Sequence, residues 1–551
     1  MPTEIDECRE QLDTLHRQIQ PLEAQLLGLK EQERGLNKRL RKLVLKKSPI
    51  SRLTDDILRE IFLQTLPSSR ERELACFSTS IRPGISPMVL CRVCKEWKEV
   101  AEAYSPLWAT LRLFIIEMPG DDDPNVPEST RPHNPLRALE QGVANCLRTW
   151  KRKTKASSIQ LQIIFLQREL YRGPSLLGTL GPTDFQRITK LSLCRVRYRD
   201  VSQLPRNGFP ALEDLILTIY NVGDYRKKTG PIRAFEESPL LKRVAVDELV
   251  SGGFFPVLAL PWRQLSHLVL KSPIPTKFFN THLSDCPHLS HLSVLPGYDS
   301  LSWGHSIPKQ TWSWPNITNI TIGVWEYAGA GFSFPFLLDA INLKGLKSFR
   351  LVGGSFNLSR QSDQGFLEKV QSMKSLKSLS LCFIDISQST YPLLFDLTPE
   401  ITTLEIQLRT PEDRENDPFV VLNRHPHLLP KLSTLVLEVQ PGWITMFEKK
   451  AFVTFVEQRM SYLPETRLKR VVIRYASTDR VDVDEPFHFR DLEEFEEEGL
   501  LVEFTDVRSE RFNLKDVWHW VNRDPDWAEA WPEVRNLFVE GPVYLRDGYI
   551  E

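Results

Sequence analysis

Beginning at Ile5, apolar residues recur along the chain at alternating steps of three and four. This heptad pattern puts Ile5, Leu12, Ile19, Leu26, Glu33 and Leu40 at a, and Cys8, Leu15, Leu22, Leu29, Leu36 and Leu43 at d. Glu33 is the one charged residue in the seam. A stripe this narrow predicts a coiled-coil helix that needs a second helix, from another copy or from elsewhere in the chain. Pro21 falls at an outward c position, where it should kink the helix or break it into two shorter ones, and the latter would allow an antiparallel hairpin. Segment 30–47 carries eight basic and two acidic residues. A basic helix can touch phosphate or lipid, but charged flanks beside a Leu/Ile seam are usual for coiled coils, so we read it as a solvated face.

The helical period then repeats in shorter pieces. In 48–67, Thr54 can cap a helix whose first turn holds Asp55 and Asp56, with Ile57, Leu58, Ile61 and Phe62 on one face. In 87–108, Leu90, Val93, Cys94, Trp97, Val100 and Ala101 keep helical spacing, and Trp108 follows just after Pro106. So few residues cannot bury all this apolar surface among themselves, and part of it should face a partner.

From Ile188 onward the period changes. An apolar residue is followed by others three and five positions later, in motifs starting at Ile188, Leu212, Leu241, Leu265, Leu289, Ile317, Leu346, Leu376, Ile401, Leu432 and Leu468. The ten intervals average 28 residues, within the leucine-rich-repeat range, where each unit is a short strand plus a return segment. Proline stands two residues before the first apolar position in six of the eleven motifs, at Pro210, Pro239, Pro287, Pro315, Pro399 and Pro430. With 39 prolines in 551 residues, chance predicts about one. The proline ends one return segment before the next strand begins. Alternate strand residues are left for the concave face of such a stack, and Lys190, Asp214, Arg243, His267, His291, Arg350, Glu405, Glu438, Arg470 and Arg474 are expected there. Their mixed signs favour a protein ligand over a nucleic-acid track, and Arg243, His267, His291, Arg350, Glu405 and Arg470 are the candidate substrate contacts.

Between these regions, 117–135 holds five prolines and three consecutive aspartates, a linker composition. A helix outlined by Leu136, Leu139, Val143, Leu147 and Trp150 follows, ending in basic residues at 151–155 that suit a helix C-terminus or a nuclear-targeting signal. The aromatic stretch 298–336 (Tyr298, Trp303, Trp312, Trp314, Trp325, Tyr327) suits either core burial or an interface. Beyond the last motif, the acidic run at 493–498 and the tail with Trp518, Trp520, Trp527 and Trp531 suit a C-terminal cap.

The segment 48–111 resembles the F-box, in the F-box-like variant that follows an N-terminal coiled-coil helix. The matching residues are Pro49, Ile50, Leu53, Ile57, Leu58, Ile61 and Phe62, then Leu90, Val93, Cys94, Trp97, Pro106, Leu107 and Trp108. Thr54 stands where that family usually has proline, and positions 68–87 separate the two halves. The resemblance implies that Pro49, Ile50, Leu53, Ile57, Leu58, Ile61, Phe62, Leu90, Val93, Trp97 and Trp108 dock a Skp-type adaptor of a cullin-RING ubiquitin ligase, while the irregular repeats hold a substrate protein. The expected organisation is mixed α/β. It comprises a coiled-coil helix (1–47), an F-box-like domain (48–112), a linker (113–135), a leucine-rich-repeat solenoid with a parallel sheet (136–508) and a cap (509–551).

Composition narrows the function classes. Seventy basic against 71 acidic residues leave no global field for nucleic acid or an anionic membrane. The eight scattered cysteines read as reduced thiols, and neither a secretory signal nor an apolar run long enough to span a bilayer is found, so a cytoplasmic or nuclear protein is expected. Cys91 and Cys94 form a C-x-x-C without a second ligand pair nearby, and Cys286, His288 and His291 are explained by neighbouring strands, so neither set is read as a metal site. No catalytic motif stands out. The expectation is a non-enzymatic ubiquitin-ligase substrate receptor without cofactor, with a coiled-coil partner or homodimer. The alternatives are a protein-interaction scaffold outside any ligase, or a metal or thiol enzyme using the cysteines and histidines.

Overall fold

The structure is a computed structural model that describes residues 3–47, 53–65, 87–115, 147–155, 157–165, 176–220, 231–248, 258–274, 281–296, 314–324, 338, 341–357, 360–386, 389–407, 417–439, 449–461, 467–475 and 490–506. The chain divides into two compact units, one formed by 1–66 with 87–104 and the other by 67–86 with 105–551.

The first unit is helical. Helix α1 (Glu4–Lys47) is one uninterrupted element with Pro21 inside it. The proline removes a single backbone donor, and good helix formers on both sides carry the helix through, so the hairpin allowed by the sequence does not form. Helix α2 (Asp55–Thr65) starts where the Leu58 N–H bonds the Thr54 carbonyl at 3.0 Å, with Asp55 and Asp56 at its positive end. The second amphipathic segment is two helices rather than one, α3 (Pro87–Val93) and α4 (Lys95–Ala103). Cys94 adopts an extended backbone between them, and its sulfur accepts from the Trp97 N–H at 3.4 Å, the role an N-cap hydroxyl usually plays. Phe62 is fully buried, with its ring centroid 4.9 Å from that of Trp97, and Leu58, Val100 and Ala101 complete the interior.

Among the described residues, the second unit is built on one open parallel sheet whose fourteen strands follow each other in chain order. They are β1 (Thr110–Ile115), β2 (Ile159–Phe165), β3 (Ile188–Arg197), β4 (Asp214–Tyr220), β5 (Arg243–Glu248), β6 (His267–Ile274), β7 (His291–Pro296), β8 (Asn319–Val324), β9 (Ser348–Asn357), β10 (Ser378–Asp385), β11 (Thr403–Gln407), β12 (Thr434–Val439), β13 (Arg470–Tyr475) and β14 (Leu501–Asp506). Between the later strands the chain returns through α5 (Arg360–Ser372), α6 (Thr390–Asp396), α7 (Pro418–Arg424), α8 (Lys449–Met460) and α9 (Arg490–Glu496). Such a sequential parallel order is compatible with a solenoid.

Each of the eleven sequence motifs supplies a strand, and ten of those strands begin two residues after the first apolar position. That first residue is at most 1 % exposed in every motif. The residues three and five further on, such as Leu268 and Leu270 or Leu435 and Leu437, lie in the same core. The recurrent prolines occupy the second position of a tight turn. In all six cases the N–H of the first apolar residue bonds the carbonyl three residues earlier at 3.1–3.3 Å, as in Leu212 to Phe209 and Leu289 to Cys286. Proline suits this place because its fixed φ matches the turn.

Three strands arise without a recognised motif. In β2 the apolar residues Ile159, Leu161 and Ile163 merely alternate. The β13–β14 register sets Gly499, with φ of 94°, where the motif has its first apolar residue. β1 does obey the rule, with Trp108, Leu111 and Leu113 at the correct intervals and Pro106 two residues before Trp108. The sheet therefore starts well before position 136, in residues expected to end the F-box-like domain (48–112) and begin the linker (113–135). Most of the predicted linker, the insertion at 68–86 and the predicted cap at 509–551 lie outside the described residues, and 493–496 of the acidic run belong to α9.

Candidate functional site

The residues expected to dock an adaptor do not share one environment. Ile57 and Ile61, one turn apart on α2, are exposed at 49 % and 37 %, as is Val93 at 56 %. Leu53, Leu90 and Trp97 are half-buried. Leu58 and Phe62 face the unit's own interior, because two of the four apolar positions on a short amphipathic helix are needed to hold it against α4. Pro49 and Ile50 lie outside the described residues. Trp108 belongs to the other unit: it is buried at the first core position of β1, its carbonyl accepts from the Trp150 indole at 2.6 Å, and Lys153 lies 4.7 Å above its ring. It therefore serves the sheet. Lys151 also reaches inward, pairing with buried Asp184 at 2.6 Å, so two of the basic residues at 151–155 hold the helix end in place.

The register sets the expected substrate contacts in two rows. Arg243, His267, His291 and Arg470 fall in one, which runs Lys190, Asp214, Arg243, His267, His291, Asn319, Ser348, Ser378, Thr403, Thr434 and Arg470 across neighbouring strands. Arg350 and Glu405 fall in the next, two residues along. The first row is partly accessible and internally paired. Asp214 accepts both Arg243 Nε and Nη2 at 2.5 Å, and Lys190 Nζ approaches it at 3.7 Å. Arg470 grips Glu503 through two bonds of 3.0 and 2.7 Å, which raises the guanidinium's pKa further.

His267 and His291 stack with centroids 4.2 Å apart and planes 8° from parallel. Ser266 Oγ reaches both the Lys242 carbonyl and His267 Nδ1, the latter at 2.9 Å, and Ser290 Oγ reaches both the Ser266 carbonyl and His291 Nδ1, the latter at 2.8 Å, so the two rings are held in equivalent orientations. Burial, then the electrostatic influence of His291 and Arg243, pushes the His267 pKa down to about 3.

The second row is not an open surface. Arg350 and Glu405 are 1 % and 5 % exposed and pair at 3.1 Å; Ser380 Oγ also donates to Glu405, and Arg474 reaches the same carboxylate at 2.7 Å. The expectation that these two residues line an accessible face fails, because both charges are enclosed and used on one another. Cys286 is buried with its thiol toward the His282 carbonyl while His288 is exposed, so the cysteine and histidines of that segment do not converge. Of the aromatic stretch, Trp314 is core, its indole donating to the Leu283 carbonyl at 2.9 Å. Tyr298, Trp303, Trp312, Trp325 and Tyr327 lie outside the described residues.

A row of hydroxyls linking neighbouring repeats is not singled out by the apolar pattern of the sequence. The residue after each motif's first apolar position is Ser or Thr in six motifs, Thr189, Ser266, Ser290, Thr318, Thr402 and Ser433, and each hydroxyl donates to the carbonyl of the preceding strand at 3.0–3.3 Å. The signal was present as a recurrent small hydroxyl residue, beside the asparagine that regular leucine-rich repeats use and this chain mostly lacks.

No protein-family model matches the chain, and none of the curated proteins matches it. No helix among the described residues is long and apolar enough to cross a membrane.

Proposed function

We propose that this chain is the substrate-receptor subunit of an SCF-type cullin-RING ubiquitin ligase, with its first unit an F-box-like domain and its second a leucine-rich-repeat solenoid. The observation that carries the reading is the exposure of Ile57, Ile61 and Val93 on a small helical unit that already has a core of its own. Apolar side chains left outside such a core mark a protein-binding face. The long parallel sheet supports the other half of the role, since a stack of strands offers an extended surface for a folded partner. Under this reading the chain does no chemistry itself. It holds a Skp-type adaptor and a substrate protein in one complex, so that ubiquitin transfer proceeds at a raised effective concentration. Such a subunit works in the cytoplasm or nucleus.

The test is co-purification with a Skp-type adaptor and cullin. Replacing Ile57 and Ile61 by Asp should abolish capture and lower the thermal midpoint by no more than a few degrees, because neither side chain belongs to the unit's core. An unmutated chain that captures other proteins but no adaptor would favour the scaffold reading.

A further inference from the structure

Every described side chain of α1 is exposed, including all the Leu and Ile of its seam; the least exposed of these, Ile19, is still 43 % open. A helix of this length draws most of its stability from burying such a stripe, and a seam of two residues in seven is closed only by another helix. We propose that α1 of a second copy of this chain, running antiparallel, closes it.

Two observations fix the orientation. In a parallel in-register pair each a residue meets its own counterpart, which brings two Glu33 carboxylates together inside an apolar seam, where like charges are costly. An antiparallel pair sets a against d. With Ile5 against Leu43 of the second copy, Glu33 meets Leu15 and Leu40 meets Cys8, and no layer holds two charges. The second observation is the charge gradient along the helix. Segment 4–29 carries six acidic and two basic residues, and 30–47 carries two acidic and eight basic. Helices packed about 10 Å apart lie within roughly one Debye length, so these fields are felt between them. Parallel packing lays the basic half along the basic half, whereas antiparallel packing lays it along the acidic start of the other copy. The apolar seam supplies the affinity, and Glu33 with the charge gradient selects the direction.

A helix of 44 residues is about 66 Å long, so the two chains leave the paired rod at opposite ends, that distance apart. Whatever the second unit holds is then held twice, a bivalent arrangement that does not depend on adaptor binding.

Light scattering on the full chain at micromolar concentration should give twice the 63.7 kDa chain mass; a monomeric mass overturns the proposal. Direction is read with a two-carbon bismaleimide. The unmutated protein should give no cross-linked dimer that depends on Cys8, Leu40→Cys should give one, and adding Cys8→Ser should remove it. On the Cys8→Ser background, Leu12→Cys and Leu36→Cys should each be silent alone and cross-link when combined, which guards against a Leu40 variant that weakens pairing. Cys8-dependent cross-linking in the unmutated protein, or cross-linking by Leu12→Cys alone, would establish parallel pairing and overturn the orientation.

Discussion

The Glu405 carboxylate sits between two guanidiniums and a serine hydroxyl in the interior of the sheet's second row. Desolvating three charges costs several kcal/mol per ion, so this network is not a source of net stability over a well-packed apolar set. Removing one member alone, however, leaves an uncompensated buried charge. His267 differs because it is kept neutral. Its pKa of about 3 lies below the ordinary value of 6.5, so between these pH values the unfolded chain binds a proton that the folded chain does not. Stability from this group is therefore fully present above about pH 6.5 and is lost progressively as pH falls toward 3. Replacing His267 by Gln should flatten the fall in thermal midpoint between pH 6.5 and 4 relative to the unmutated protein. An unchanged slope in a pH series of melting curves would assign that fall to other groups. The identity of both residues was legible from their place two or four positions into a motif. Whether they face a ligand or each other was not, because one strand's sequence does not say what lies on the strands beside it.

Single elements show where local pattern and packing diverge. The segment 87–108 has one helical period but yields two helices and the first core residue of a sheet, because Cys94 caps α4 and the chain turns at Pro106. Trp108 satisfies the spacing of both an amphipathic helix and the strand motif, and the packed sheet decides in favour of the strand. Trp108→Ala should destabilise the second unit by about 3–5 kcal/mol, the usual cost of an emptied aromatic core site. It should unfold the β1 end first while adaptor capture, if mediated by Ile57 and Ile61, persists. Denaturant unfolding followed by far-UV circular dichroism, together with the pull-down, checks both halves. Helix α1 makes the complementary case: its heptads mark the helix plainly, but the break expected at Pro21 is absent, because the helix formers on both sides carry one element through it.

Across the entire sheet, each strand pairs only with its neighbours in sequence. Coupling should accordingly be local, as in a one-dimensional array whose stability is a sum of unit and nearest-neighbour terms. Leu379→Ala in β10, a fully buried site, should lower hydrogen-exchange protection in β9, β10 and β11 and leave β3 and β4 unchanged. Uniform loss across all strands would instead mean one cooperative block. The recurring apolar triplets, the turn prolines and the heptads are properties of neighbouring positions along the chain, and backbone geometry converts them directly into helix, strand and turn. For that reason eleven of the fourteen described strands and the N-terminal helix are legible in the sequence alone. Burial of Arg350 and Glu405, the stacking of His267 on His291, the hydroxyl ladder and the reassignment of Trp108 depend on which residues other strands bring alongside. Those partners lie tens of positions away, and only packing selects among the chemically sensible roles each side chain could take.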